Sequence, residues 1–341
     1  MIDQPMLHPR PTLLQVAKLA GVSLKTASRV LNDEPYVSAT TAAKVRTAAD
    51  QLGFRLNGIA RELRAGARSS AVGLIISDVA NPFYARIARG AERQLRTTGL
   101  QLITASSDED PEMERQLTAE MLERRVSALL LTTCVENHGY LEAERRLGIP
   151  VAFLDRPPSG IVADTVALDN EVGARRAAEH LLSHGHRRIG LVGDLSRLST
   201  HRERIAGFSA AMRGAGIEDW QRYLRVDSHD SEAAERAVRD LLALQLPPTA
   251  LFTTNNRITV GALRAMREAD APPALVGFDD FDLADLLGVT VIAHSPEQLG
   301  EIGAGLVLAR LGGGHGPAHQ QRLPTTLIER GSGERPPARP H

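Results

Sequence analysis

The chain has 341 residues, 40 Lys or Arg against 41 Asp or Glu for a formal net charge of −1, and one cysteine, Cys134. That length exceeds what a single compact core usually holds, so two or three domains are expected, and a lone thiol excludes an internal disulfide and suits a reducing compartment. No apolar run reaches the roughly 20 residues that span a bilayer, and residues 1–12 lack a basic segment followed by an apolar run, so the reading expects a cytoplasmic protein with no membrane partner.

The near-zero charge conceals an asymmetry. Between Thr12 and Arg68 nine basic residues stand against four acidic ones, so the remainder of the chain is net acidic. Basic charge confined to one small N-terminal segment is the electrostatic footprint of nucleic-acid binding.

The first predicted elements lie in LLQVAKLAGVSLKTASRVLN, Leu13 to Asn32. Leu13, Val16, Ala17 and Ala20 have helical spacing, and Ala27, Val30 and Leu31 resume it after a break in phase at Gly21. Within one helix that glycine would cost about 1 kcal/mol relative to alanine. Two helices explain it better: Gly21 turns the chain at positive φ, Ser23 caps the second helix and Val22 plugs the space beneath the turn. The second helix presents Leu24, Lys25, Thr26, Ser28 and Arg29 on its outer face, with Asn32 at its end, where a helix-turn-helix meets base edges and phosphates. The same pattern also fits a plain helical hairpin with a solvated basic face. Ser38 to Phe54 reads as a third helix, capped by Ser38, striped by Ala42, Val45, Ala49 and Leu52, and ended by Gly53. Arg55 to Ser70 reads as a linker able to order on DNA.

VAKLAGVSLKTASRVLN, VSATTAAKV and LGFRLNGIARELRAG, in this order and spacing, resemble the DNA-binding headpiece and hinge of the lactose-repressor (LacI/GalR) family of bacterial transcription factors. The resemblance implies a helix-turn-helix domain over 12–58 and a hinge over 59–69. It adds Asn57, Leu63 and Arg64 to the DNA-contacting set, with leucines from two subunits wedged into the minor groove. Two-fold symmetric operators pair with dimeric proteins of this kind, so the expected partners are pseudo-palindromic operator DNA and a second copy of the chain.

From Ser70 onward short apolar runs alternate with helical patterns, which predicts α/β architecture with parallel sheets covered on both faces. AVGLIISD, LQLITAS, SALLLTT and PVAFLD are expected as buried strands of one lobe; RRIGLVGD, TALFTT and PALVGFDD form the second. Two similar lobes are expected over 70–331, lobe one at about 70–160 and 290–322, lobe two at about 163–288 and 323–331. Residues 332–341 read as a disordered tail from composition.

Ligands of open parallel sheets bind beyond the carboxyl ends of the strands. Phe83 and Tyr84 follow the first strand, Asp155 and Arg156 the fourth, and Arg204, Asn255 and Asp279 occupy matching places in the second lobe. Aromatic faces combined with Asp, Asn and Arg suit a sugar, whose hydroxyls donate and accept while its C–H faces pack on rings. NPFY, LDR, RxRxxGF, TNNxxxxGA and VGFDD are similar to segments of the same repressor family and of periplasmic ribose-binding proteins, which implies that these residues bind a sugar and that His229 and His294 face the cleft. Two departures stand out: Asn255-Asn256 replaces the usual Asn-Asp pair, and His294 stands where sugar binders often have Gln.

Neither GxGxxG after a strand, nor GxxxxGK[ST], nor GxSxG occurs, and the histidines lack metal-ligand spacing, so no enzyme activity, cofactor or metal is expected. His184 and His186 at a helix end read as a C-terminal charge effect. The expected function is a carbohydrate-controlled transcriptional regulator acting as a repressor. The competing reading, a periplasmic sugar-binding transport protein, is disfavoured by the basic head and by the missing export signal.

Overall fold

The computed structural model describes residues 11–55, 69–267 and 271–337. Asn57, Leu63, Arg64 and nearly all of the expected hinge lie outside the described residues. The chain divides into two compact units, Met1–Ser69 and Ser70–His341.

The first unit contains α1 (Leu13–Ala20), α2 (Leu24–Leu31) and α3 (Ala39–Leu52). Thr12 and Gln15 form a reciprocal capping box on α1, which satisfies two donors that a helix start leaves free. Gly21 ends α1 at φ 67, and the Val22 N–H donates to the Ala17 carbonyl at 3.0 Å, closing the tight turn that the sequence required. Ser23 and Ser38 cap α2 and α3 by accepting from Thr26 N and Thr41 N. Val16, Ala17, Ala27, Val30, Val45, Ala48 and Ala49 form the shared core, with Val22 packed against it.

The second unit holds two six-stranded sheets. In chain order the first five strands are β1 (Ala71–Ile76), β2 (Gln101–Ser106), β3 (Ala128–Leu131), β4 (Val151–Asp155) and β5 (Asp164–Leu168). Then come β6 (Ile189–Val192), β7 (Leu224–Arg225), β8 (Ala250–Thr253), β9 (Ala274–Phe278), β10 (Thr290–Ala293), β11 (Gln320–Leu323) and β12 (Thr326–Ile328). One sheet runs β11-β5-β4-β3-β1-β2 and the other β12-β10-β9-β8-β6-β7. All pairings are parallel except β10 with β12.

Helices α4 (Pro82–Arg96), α5 (Pro111–Glu123), α6 (Glu142–Arg146), α7 (Asn170–Ser183), α8 (Ser199–Gly214), α9 (Ser231–Leu242), α10 (Asn256–Met266) and α11 (Pro296–Leu311) connect the strands. Leu74, Ile76, Leu130 and Leu154 pack under α4 and α11, in one apolar core continuous with Leu191, Phe208, Phe252 and Phe278 of the second lobe. Each such side chain stabilises the fold by about 1.5–3 kcal/mol on burial. Helices α4 and α11 meet through glycines: a Cβ on Gly90 would lie 2.0 Å from the Glu297 carbonyl oxygen, and one on Gly300 2.0 Å from that of Ile87. No helix among the described residues is long and apolar enough to cross a membrane.

The crossings between lobes differ from the expected boundaries. Strand β5 lies in the first sheet, so the first crossing falls at 168–170 instead of near 160. Its partner β11 arrives some 150 residues later in the chain, a pairing that local pattern does not reveal. Strand β10 belongs to the second sheet, beside β9, so the return to lobe one begins at 293–296 and not at 290.

The tail is also ordered as far as Pro337. Ser332 donates to the Gly288 carbonyl and accepts from Leu275 N and, through its hydroxyl, from Thr290 N. Glu334 binds Thr290 and His180, and His186 bonds the Arg335 carbonyl while its other ring nitrogen meets Thr249. Polar, Pro-rich composition predicts disorder, but the backbone N–H groups of Leu275 and Thr290 recruit this segment. His186 is accordingly buried in the lobe instead of acting as a helix-end charge. Strand β2, expected as buried, is an edge strand with Ile103 and Thr104 exposed.

Candidate functional site

In the first unit the outer face of α2 carries Leu24 and Lys25 exposed, with Arg29 3.8 Å from Glu34. Three of the expected DNA-contacting groups are engaged locally. The Thr26 hydroxyl lies 2.9 Å from Ser23 Oγ, and Asn32 Nδ2 donates to the Ser28 carbonyl at 2.9 Å and reaches Ser28 Oγ at 3.3 Å. Lys25 and Arg29 are therefore the long cations that this face offers outward. Sequence reasoning passed over Tyr36, which is 97% exposed and held at φ 78 in the loop before α3.

In the second unit eight of the nine expected effector residues line one cleft between the lobes: Phe83, Tyr84, Asp155, Arg156, Arg204, His229, Asn255 and Asp279. Asn81 caps α4 and so sets Phe83 and Tyr84 at the helix start. Asn255 caps α10, and Asp155 and Asp279 end or follow central strands. The ninth residue, His294, sits behind the wall: its side chain is buried and Nε2 lies 2.8 Å from Asp279 Oδ1.

Arg156 is held through both terminal nitrogens, while its buried Nε has no hydrogen-bond partner. It makes a bidentate pair with Glu109, with both bonds at 2.8 Å, and donates to the Thr133 carbonyl and the Tyr84 hydroxyl. Burial opposes charge on both partners, yet Arg156 holds the Glu109 carboxyl below its ordinary range and Glu109 keeps Arg156 firmly protonated. Burial pushes the Tyr84 hydroxyl well above its ordinary value, so it stays protonated.

Arg204 donates to Asn170 and to the Thr254 carbonyl, lies 3.8 Å over the Phe278 ring, and is 3.9 Å from Asp279. Burial acts to raise the Asp279 carboxyl, but Arg204 and His294 bring it below the usual value. Asp155 differs: burial raises it despite Arg156 and Arg204, and its Oδ1 is buried without a hydrogen-bond partner. At the far side His229 Nδ1 lies 2.8 Å from Asp194 Oδ1, and Asn255 Nδ2 donates to Asp194 Oδ2. The hydrogen bond that His229 donates to Asp194 raises the imidazole's affinity for its proton.

Contacts also run across the cleft. Asn256 Nδ2 donates to Asn81 Oδ1 at 2.9 Å, Arg257 pairs with Asp78, and Arg197 donates to the Glu109 carbonyl. Asn81 Oδ1 already accepts from Phe83 N, so its orientation is fixed and it needs a donor opposite. Asn256 supplies one; the carboxylate that the related pattern carries there would repel that oxygen.

Glu109 and Asp194 escaped the sequence reading. Asp194 lies two residues past the end of β6, and the strand-end rule that singled out Asp155 applies to it as well. Glu109 lies in the acidic run DEDPE, where nothing in the pattern separates the buried carboxylate from its solvated neighbours.

Residues 12–57 match the family model described as bacterial regulatory proteins, lacI family. Residues 69–279 match that of periplasmic binding proteins and the sugar binding domain of the LacI family. The chain belongs to the LacI family. It is 30% identical to the ribose operon repressor of Escherichia coli (strain K12), over 94% of this chain and 99% of that protein. It is 32% identical to the HTH-type transcriptional regulator PtxS of Pseudomonas aeruginosa, over 95% and 96%. A solved complex of the transcriptional regulator CelR with cellobiose is similar at TM-score 0.70 and 28% identity, covering 95% of this chain and 100% of that one. The chain is thus a DNA-binding transcriptional regulator of a family of regulators, not enzymes, with two parallel-sheet lobes built on the periplasmic-binding-protein plan. A transport protein of the periplasmic type is not favoured.

Proposed function

We propose that this protein is a cytoplasmic, homodimeric repressor whose hold on a pseudo-palindromic operator is set by an uncharged carbohydrate bound between the lobes. The observation that carries this reading is the pairing of charge in the cleft. Each guanidinium on its wall is already engaged: Arg156 by Glu109, Arg257 by Asp78, and Arg204 by Asn170, Thr254 and the Phe278 face. What stands unsatisfied is an adjacent acceptor and donor, Asp155 Oδ1 and Arg156 Nε. A sugar hydroxyl can donate to the carboxylate oxygen and accept from the guanidinium N–H, whereas a phosphate or carboxylate, although it could accept from Arg156 Nε, would bring a second anion against Asp155 where every guanidinium already has an acceptor. Phe83 supplies the apolar face for the C–H side of the ring.

The dimer is supported by two exposed apolar features of the second unit, the edge strand β2 with Ile103 and the cluster Leu283, Leu286 and Leu287. Uncovered leucines and an unpaired strand edge are features that protein surfaces hide by association. In the first unit, Leu24, Lys25, Thr26, Ser28, Arg29 and Asn32 are proposed to meet the operator, with Asn57, Leu63 and Arg64 joining them at the centre. The cytoplasmic assignment follows from that partner.

Thermal-shift screening of neutral mono- and disaccharides, aldonic acids and sugar phosphates tests the ligand class, since a bound molecule stabilises by mass action. The expected result is a rise in melting temperature with a neutral sugar and none with its acid or phosphate. Stabilisation by the charged compounds alone overturns the uncharged assignment.

A further inference from the structure

Asn170 is completely buried at the first crossing between lobes, and its side-chain amide is gripped from both ends by consecutive residues of α8. Its Oδ1 accepts from Arg204 Nε at 2.8 Å, and its Nδ2 donates to Glu203 Oε2 at 2.9 Å. Glu203 in turn takes both bonds of a guanidinium from Arg322, on the strand that leads into the third crossing, at 2.7 and 3.2 Å. Arg322 closes the circuit by donating to the Leu168 carbonyl at 3.0 Å, one residue before the first crossing turns. The two crossings are also joined directly by Asp169 N donating to the Leu323 carbonyl.

The position requires an amide. It must accept from a guanidinium and donate to a carboxylate at the same time, which no other side chain of this size does: aspartate cannot donate, and leucine does neither. The guanidinium at one end of this chain is the one that lines the cleft beside Asp279. The residues at its other end belong to the segments by which the chain passes between the lobes.

We infer that Asn170 is a positioning residue that couples Arg204 in the cleft to the first and third interlobe crossings, through Glu203 and Arg322. A shift of the Arg204 head moves the amide, and the amide cannot move without pulling on the Glu203–Arg322 pair that holds the crossings in register. A contiguous hydrogen-bonded chain whose two ends lie at the two places it connects can carry coupling of this kind. The inference rests on the cleft being the effector site, but its test reads lobe geometry in protein without ligand, so failure of one does not imply failure of the other.

The test uses full-length protein carrying Cys134→Ser, with spin labels on Glu123→Cys in lobe one and Asp240→Cys in lobe two, both positions exposed. Labelled chains are diluted into unlabelled protein so that distances within one chain are read. The wild-type background is expected to give a single narrow lobe-to-lobe distance. Asn170→Asp keeps the bond to Arg204 but sets a carboxylate against Glu203, and loss of the narrow peak is expected. Adding Glu203→Gln supplies the missing donor from the opposite side, and return of the narrow peak is expected; a residue needed only for packing would not be rescued this way. Arg322→Met, at the half-exposed outer end where folding is tolerant, is expected to broaden the peak as well. A distribution unchanged by both Asn170→Asp and Arg322→Met overturns the coupling, as does failure of Glu203→Gln to restore it.

Discussion

Asp155 at the end of β4 and Asp279 just after β9 share the same left-handed backbone conformation, at φ 66 and φ 71, and face one cleft from opposite lobes. A non-glycine residue held there costs of order 1–3 kcal/mol, and such strain collects at ligand sites. The two carboxyls are tuned oppositely. Asp279 is stabilised as an anion by Arg204 and His294, while Asp155 is buried with one oxygen unsatisfied.

That contrast predicts a trade between stability and binding at Asp155. A carboxyl whose folded pKa is raised destabilises the fold once the pH passes its ordinary value of 3.8, and the penalty is complete above the folded value. Asp155→Asn should therefore raise the melting temperature of the ligand-free protein at neutral pH while weakening sugar binding by about 1.5–3 kcal/mol, the usual worth of a hydrogen bond to a charged group. Calorimetric titration with the stabilising sugar, beside melting curves of the free protein, reads both; a variant less stable and equally tight would show that the free oxygen has no such role.

The His229–Asp194 pair gives a pH dependence of opposite sign. A histidine whose folded pKa lies above 6.5 contributes stability that is complete below 6.5 and is lost as pH rises through the folded value. The melting-temperature difference between wild type and His229→Gln should thus be largest in mildly acidic buffer and shrink toward alkaline pH. A difference independent of pH would mean that the pair does not titrate in this range.

Glu109 and Arg156 form the buried pair on which the lobe-one wall stands. Removing one partner strands the other charge, so Glu109→Ala should cost about 3–5 kcal/mol in denaturant unfolding. Replacing both residues by apolar ones should cost less than the single change. Equal losses in single and double variants would assign the damage to packing and not to the stranded guanidinium.

How much of this could be read beforehand follows from the range of the interactions. The turn at Gly21, the caps at Ser23 and Ser38 and the stripe of α3 depend on neighbours a few residues away, and local pattern carries them. Phe83, Asp155 and Asp279 were legible because a strand end is itself a local feature. β5 was missed because β11, one of its two partners, comes much later in the chain, and the tail because its partners are β9 and β10 backbone groups. Glu109 could not be told from Asp108 without Arg156 in place beside it. Similarity puts His294 on the cleft, and the structure sets it one layer back, against Asp279.

On DNA, Lys25 is the exposed cation at the start of α2, free to reach a base edge where Thr26 and Asn32 are partly occupied by their own helix. Lys25→Ala should change preference at one pair of symmetric operator positions by about 1–3 kcal/mol. Selection from a randomised operator pool reads this directly, and an unaltered base preference removes Lys25 from the reading set.

The central claim is that occupation of the cleft governs the hold on DNA, and one titration tests it. Operator selected from the randomised pool is labelled, and its affinity for the protein is measured by fluorescence anisotropy with and without the neutral sugar that stabilises the wild type. The account predicts that the sugar changes operator affinity for wild type, by the 5- to 150-fold (about 1–3 kcal/mol) typical of coupled sites, and that Asp279→Ala binds the operator normally but no longer responds. Operator affinity indifferent to a sugar that demonstrably occupies the wild-type cleft, or an Asp279→Ala protein that still responds in full, would contradict it.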